Sequence, residues 1–369
     1  MQFTSEEHEK KLTLMRALLD QHEVDGLLLR RVSNFAWATC GASSYVNTAT
    51  SEGAASLVIT REHAYLITNN IEAVRLQEES RLGEQGWEFR VAHWTSPLAE
   101  LEKLAAGLRL IADVPFGGAR EIGAEMSRLR ANLTSAEQER FRQVGLLCAQ
   151  AMTAAAMQVR PGMSEMEIAG LLGSESQKRG VQPIVNLIAT DERIYQYRHP
   201  LPTDKKLEKY AMLVLSGRKY GLVCSITRLI HFGEIPADVQ ERIRAAASVN
   251  AVMIARSRPG RSLAEIFKFG QQAYAAAGFP DEWRFHHQGG AAGYEPREFL
   301  ALPGSQESIA AGQAYAWNPS IAGAKMEDTI LIGTPDNQIL TPTPNWPNLS
   351  VPIPEMGCEV PCPLALEIN

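Results

Sequence analysis

An α/β (α+β) chain, with a small β/α domain ahead of a larger duplicated helix–helix–sheet domain, is what this sequence predicts, and three observations carry that prediction. Strand-like and helix-like runs alternate through residues 1–132. The pattern R-P-G-x-S-x-x-E-I occurs twice, at 160–168 and at 258–266. Two β-rich runs, AMLVLS and GLVCSITRLI, lie on either side of Gly217-Arg218-Lys219-Tyr220, as the strands of a hairpin would.

The elements follow in chain order. Thr4-x-x-Glu7 is a capping box, and the helix it opens places Leu12, Met15 and Leu19 on one face before ending near Asp25-Gly26. A strand of leucines comes next, then a hairpin in SLVITREHAYLITN and a helix from Ile71 to Glu79. WEFRVAHW supplies another strand and PLAELEKLAAGL another helix, which completes the first domain. Thr134-x-x-Glu137 opens a long helix to about Gln158, so the boundary is placed before it, giving domains at 1–132 and 133–350.

In each copy of the repeat a long helix ends before a Pro-Gly turn. A Ser-x-x-Glu box then starts a second helix, and Gly180 or Gly278 closes it. The copies are too far apart for a solenoid unit. Duplication of a half-domain fits them, and two such halves would make a pseudo-twofold core with a cleft between their sheets. The proline-rich run from Leu340 to the C-terminus cannot sustain a regular element for long, so 351–369 is expected to wrap along the surface as a tail or to cover a partner subunit.

Composition narrows the function classes. At 369 residues, with 45% hydrophobic and 21% charged residues, the chain reads as an ordinary soluble two-domain protein. A net charge of −6 gives no basic surplus for nucleic-acid binding. The N-terminus lacks an apolar signal-peptide core and no run of 18 apolar residues suggests a membrane span, so the expected location is cytoplasmic, away from membranes. Cysteines at 40, 148, 224, 358 and 362 are odd in number and scattered, which suits a reducing compartment better than a disulfide framework. There is no Gly-rich phosphate loop, and Gln288-Gly289-Gly290 lacks dinucleotide-fingerprint spacing, so no cofactor is expected.

Four segments carry chemistry: His199 with its basic linker and the paired strands ending in Thr227-Arg228, HHQGGAAGYEPREF at 286–299, AWNPSI at 316–321, and KMEDTILI at 325–332. In this order they resemble the creatinase/aminopeptidase P/methionine aminopeptidase family, the pita-bread hydrolases, over nearly the whole chain. The resemblance implies a small creatinase-type domain followed by the pita-bread domain. In active metal-dependent members two aspartates, a histidine and two glutamates hold a metal pair. By the resemblance Ser216 and Ser225 stand at the aspartate positions, His287 at the histidine, Asn318 at the first glutamate and Glu327 at the second. Tyr294 stands where a substrate-facing histidine is usual. Neutral serine hydroxyls cannot balance two hard cations, so no catalytic metal is expected.

A metal-free branch, creatinase, cleaves an amidine C–N bond with a histidine as general acid and base, and His199 falls at that position. The expected function is therefore metal-independent hydrolysis of a C–N bond in a small amide, amidine or dipeptide-like substrate. Catalysis is assigned to His199, with Glu327 and His287 beside it. Arg228 or Lys325 would bind a substrate carboxylate, with Ser216, Ser225, Tyr294 and Asn318 lining the site. Strand alternation turns Cys224 away from the cleft if Ser225 faces it. Two alternatives stay open: an Xaa-Pro aminopeptidase or dipeptidase that retains metal, and a catalytically silent binding or scaffolding protein. The resemblance also implies a homodimer, in which Asn34-Phe35-Ala36-Trp37 would border the partner's cleft unless its aromatic pair is simply core.

Overall fold

The computed structural model describes residues 4–369, which divide into two compact units. The first reaches to Arg130 and includes Tyr220–Leu222; the second comprises Ala131–Lys219 and Val223–Asn369.

The first unit is built on a six-stranded mixed sheet. Its spatial order is Glu88–Ala92, Ala64–Asn69, Glu52–Thr60, Gly26–Arg31, Leu110–Ala112 and Arg120–Glu121. The leucine strand is central, with Leu27, Leu28 and Leu29 fully buried. The opening helix, Ser5–Gln21, is capped by the Thr4 hydroxyl, which accepts from the Glu7 amide. The helix read from Ile71 onward is a short π-turn at Arg75–Glu79. The segment 34–37 is core: Phe35 and Trp37 are buried, and the Asn34 amide donates to the Asp113 carboxylate, which also accepts from the Arg30 and Arg31 amides.

The second unit repeats itself closely. A long helix, Ser135–Ala156 or Ala237–Arg256, leads to a turn glycine, Gly162 or Gly260, each with φ +86°. A helix of 14 residues follows in each copy, Glu165–Lys178 or Leu263–Ala276, behind complete capping boxes at Ser164/Glu167 and Ser262/Glu265. The two turns bind the chain in the same way. Gly162 N–H donates to Leu207 O and Leu207 N–H returns to Met163 O, while Gly260 pairs with Ile309 and Ile309 with Arg261. Sequence repetition therefore becomes repeated backbone pairing, as duplication of one half-domain requires.

Each half carries a sheet. One has four strands, ordered Leu366–Ile368, Leu222–Phe232, Tyr210–Lys219 and Gln182–Thr190. The other has five, ordered Phe299–Leu300, Gly289–Ala292, Ala314–Trp317, Asp328–Leu331 and Gln338–Ile339. They are joined by an antiparallel bridge, where Thr227 N–H donates to Glu327 O at 3.0 Å, and by the Thr329 hydroxyl, which accepts from Ser225 N–H and donates to Ser225 O. The hairpin turn is tighter than the sequence suggested: the first strand runs through Lys219, and only Tyr220 and Gly221, both at positive φ, turn the chain.

The C-terminal residues are not an irregular tail. Asn348–Ile353 and Cys358–Pro363 form an antiparallel hairpin, and Leu366–Ile368 adds a parallel strand beside Leu222–Phe232. Val351, Ile353, Val360 and Cys362 enter the core of the second unit, while Pro352 and Pro361 lie exposed on the hairpin's outer face. Period-two burial outweighed the proline content, because a two-stranded ribbon tolerates proline where no ladder N–H is needed. Cys358 and Cys362 are both free thiols.

Candidate active site

The site lies in the second unit, and strand alternation decides which side chains reach it. Ser216 and Ser225, on adjacent strands of the four-stranded sheet, place their hydroxyls 2.9 Å apart. Two residues after Ser225, Thr227 points the same way and donates its hydroxyl to the Glu327 carboxylate at 2.8 Å. Cys224 faces the other way, into the core beside Cys148, whose thiol is pushed up by its contact with Cys224 and by burial.

Glu327 is the centre of charge. Its carboxylate is buried and receives the Lys325 ammonium at 2.8 Å and the Arg297 guanidinium at 2.9 Å. Burial alone would raise its pKa, but Lys325, Arg297 and the Thr227 hydroxyl outweigh that and hold it down to about 2. Two cations share one anion, so the cluster carries a net positive charge. Arg297 also reaches the Ser225 hydroxyl at 3.4 Å, and its buried Nε has no hydrogen-bond partner.

Three imidazoles complete the site. His286 Nε2 lies 3.1 Å from His199 Nε2, and the ring centroids of His199, His286 and His287 are 4.7–5.7 Å apart. Ser320 Oγ, 3.0 Å from His286 Nδ1, fixes that ring and leaves Nε2 directed at His199. Burial lowers the pKa of His286 to about 2 and that of His287 to about 4. Lys325 is the next influence on His286 and Arg297 on His287. His199 shifts down as well, through burial and then Lys325. All three are neutral at physiological pH, and His287 Nδ1 is buried without a partner.

A glycine cradle holds the histidine segment. Gly289 has φ +107°, and an added Cβ would stand 2.1 Å from Ala316 O. Gly289→Ala is expected to cost about 3 kcal/mol, from left-handed backbone strain plus overpacking. Chemical denaturation checks it, and an unchanged midpoint would show that the cradle has slack.

Of the residues the sequence nominated, His199, His287, Glu327, Lys325, Ser216, Ser225 and Asn318 belong to this neighbourhood. Asn318 is buried with Nδ2 3.4 Å from His286 Nε2 and Oδ1 unpartnered. Arg228 does not serve as a carboxylate-binding residue. Its guanidinium is buried and donates to Asp328, Thr343 Oγ1 and the carbonyls of Thr227, Glu327 and Thr341, which uses it as a structural tie. Tyr294 is likewise buried, its hydroxyl donating to Glu137 at 2.7 Å. Sequence reasoning missed Arg297 and His286 as site residues. Both lie within the 286–299 segment, and Arg297 is its one basic side chain outside the histidines.

These residues do not fit a carboxylate-bridged metal pair. The two positions on the paired strands offer hydroxyls bonded to each other, Asn318 offers an amide, and the remaining carboxylate is already neutralised by an ammonium and a guanidinium. Two divalent ions placed there would meet fixed cations instead of bridging anions.

Comparison with known proteins shows the family and the fold. The chain is 26% identical over 196 residues to an uncharacterized peptidase of Staphylococcus epidermidis, covering 50% of this chain and 54% of that protein. It thus spans about half the length of the curated relatives it matches. In fold it is similar to an Xaa-Pro dipeptidase from Bacillus anthracis, with a TM-score of 0.77 at 20% identity, over 91% of this chain and 98% of that one. It is also similar to the prolidase from Pyrococcus horikoshii, with a TM-score of 0.77 at 19% identity, over 90% and 98%. Residues 139–334 match metallopeptidase family M24, and the chain belongs to that family.

Proposed function

We propose that this protein is a peptidase-like hydrolase that cleaves a C–N bond in a small amide, amidine or dipeptide-like substrate carrying a carboxylate, using imidazole in place of the family's metal pair. The observation that supports this most is the placement of three neutral imidazoles beside a buried cluster of net positive charge.

His199 is the general base and acid. It is the exposed member of the trio, and its Nε2 is in contact with His286. A neutral imidazole there takes a proton from water as the nucleophile forms and returns it to the leaving nitrogen. His286, held by Ser320, orients the His199 ring through the contact of their Nε2 atoms. Glu327 holds Lys325 and Arg297 in place, and those two cations meet the substrate carboxylate or the developing oxyanion. Ser216, Ser225 and Asn318 line the site with neutral hydrogen-bonding groups.

The test is a turnover screen on chelator-treated protein. It covers creatine-like amidines, N-acyl amino acids and Xaa-Pro dipeptides, each with the carboxylate free and amidated. Hydrolysis of free-carboxylate compounds, unaffected by chelator, is the expected result. Activity that appears only on adding manganese, cobalt or zinc would hand the site to an Xaa-Pro metallopeptidase mechanism. Absence of turnover on every compound would favour a binding role.

A further inference from the structure

We infer that His199, His286 and His287 form a binding site for a single transition-metal ion, sharing only His287 with the ligand set that the resemblance implies for a metal pair, and that the bound ion silences the imidazole chemistry. The silencing half rests on the function proposed above; the binding half does not.

The geometry starts from the nitrogens. One ligand nitrogen from each ring can be chosen so that all three lie within 4.8 Å of one another. A zinc ion with nitrogen ligands at about 2.0–2.1 Å would draw them to roughly 3.3 Å apart. His286 and His199 are already at 3.1 Å through their Nε2 atoms. The remaining gap is closed from the most exposed side, since His199 is exposed while His286 is buried and His287 half-buried.

Three further features suit a metal-binding trio. Ser320 engages His286 Nδ1, the outer-shell contact that fixes a ligating ring and frees its other nitrogen. A buried His287 Nδ1 without a partner is a vacant donor in a place where unsatisfied nitrogen is costly. Asn318 supplies an additional unpartnered buried oxygen at the same cluster, through an amide that touches His286.

Ligand type selects the ion. Imidazole nitrogens suit zinc, cobalt, nickel and copper, whereas magnesium, calcium and manganese prefer oxygen. The same site therefore declines a hard dimetal pair and accepts one borderline ion. Lys325 and Arg297 oppose the added charge and Glu327 offsets part of it, so the expected affinity is micromolar, weaker than that of closed structural zinc sites. An ion seated on His199 takes the lone pair that would accept a proton from water. Hydrolysis and metal binding then exclude each other.

The experiment uses the full chain, dialysed against chelator and titrated with cobalt(II) followed by visible absorption, and with zinc(II) by calorimetry. One equivalent is expected, with the intense visible bands of low-coordinate cobalt and displacement by zinc. His199→Asn changes an exposed side chain, so the fold should persist, and His286→Ala removes the central ring; each should weaken binding at least tenfold. His93→Ala, an exposed histidine of the first unit, should leave it unchanged. No saturable binding, binding indifferent to His199 and His286, or two equivalents at the site would each overturn the inference. Turnover that zinc suppresses and chelator restores would support the silencing, and turnover indifferent to bound zinc would refute it. Binding without any turnover would sink the proposed function and leave the metal site standing; turnover without binding would do the reverse.

Discussion

Arg228→Ala is expected to lower the unfolding free energy by about 3–5 kcal/mol, the range for removing one partner of a buried ion pair. The guanidinium is 2.8 Å from Asp328, and both side chains are 2% exposed. Deleting it leaves Asp328 as an uncompensated buried carboxylate, with only the Thr341 hydroxyl still donating to it. It also orphans the carbonyls of Thr227 and Thr341 and the Thr343 hydroxyl. Equilibrium unfolding in urea measures the loss. Replacing both partners by apolar residues should recover much of it, because the desolvation cost of the charges disappears with them. A variant of ordinary stability with a raised KM would show instead that Arg228 meets substrate, as the sequence alone had suggested.

His199→Ala should lower kcat by about 10²–10⁴-fold, the usual contribution of a positioned general acid and base, while stability stays near that of the unchanged protein. The side chain is exposed, and among the described residues it hydrogen-bonds to His286. KM should move little, since the carboxylate is assigned to Lys325 and Arg297 and not to the imidazole. The assay uses whichever substrate emerges from the screen, in chelator, with folding checked by thermal melting. A residual rate within a factor of a few of the unchanged enzyme would remove His199 from the chemistry and direct attention to His287.

The Arg228 correction shows how much of the site was already legible. Alternation placed Cys224 away from the cleft once Ser225 faced it, and the same counting places Arg228 on the Cys224 side. Residues 225 and 227 share one face of the strand and residues 224, 226 and 228 the other. In KMEDTILI, Lys325 and Glu327 likewise turn to the site while Asp328 turns away to meet Arg228. The family resemblance pointed to segments that the fold brings together, and periodicity separates the charges facing that cluster from those spent on structural ties.

Local rules also set the duplicated halves. Capping boxes, Pro-Gly turns and closing glycines are short-range signals, and both copies fold as their pattern requires. Proline content misled at the C-terminus because it reports what a residue cannot donate, whereas burial of Val351, Ile353, Val360 and Cys362 depends on partners far away in the chain. Similarly, the contact of His199 with His286 spans 87 positions and that of Arg297 with Glu327 spans 30.

By itself the sequence determined the fold, its internal duplication, and the presence of neutral Ser216, Ser225 and Asn318 on the segments that carry the resemblance, since these follow from residue type and local spacing. Tertiary structure alone decided that three imidazoles converge, that Arg297 and Lys325 share Glu327, and that Arg228 is spent on Asp328. Those outcomes depend on which faces of distant strands meet, and electrostatic energy depends on distance in space and on exclusion of water, neither of which is written in the order of the residues.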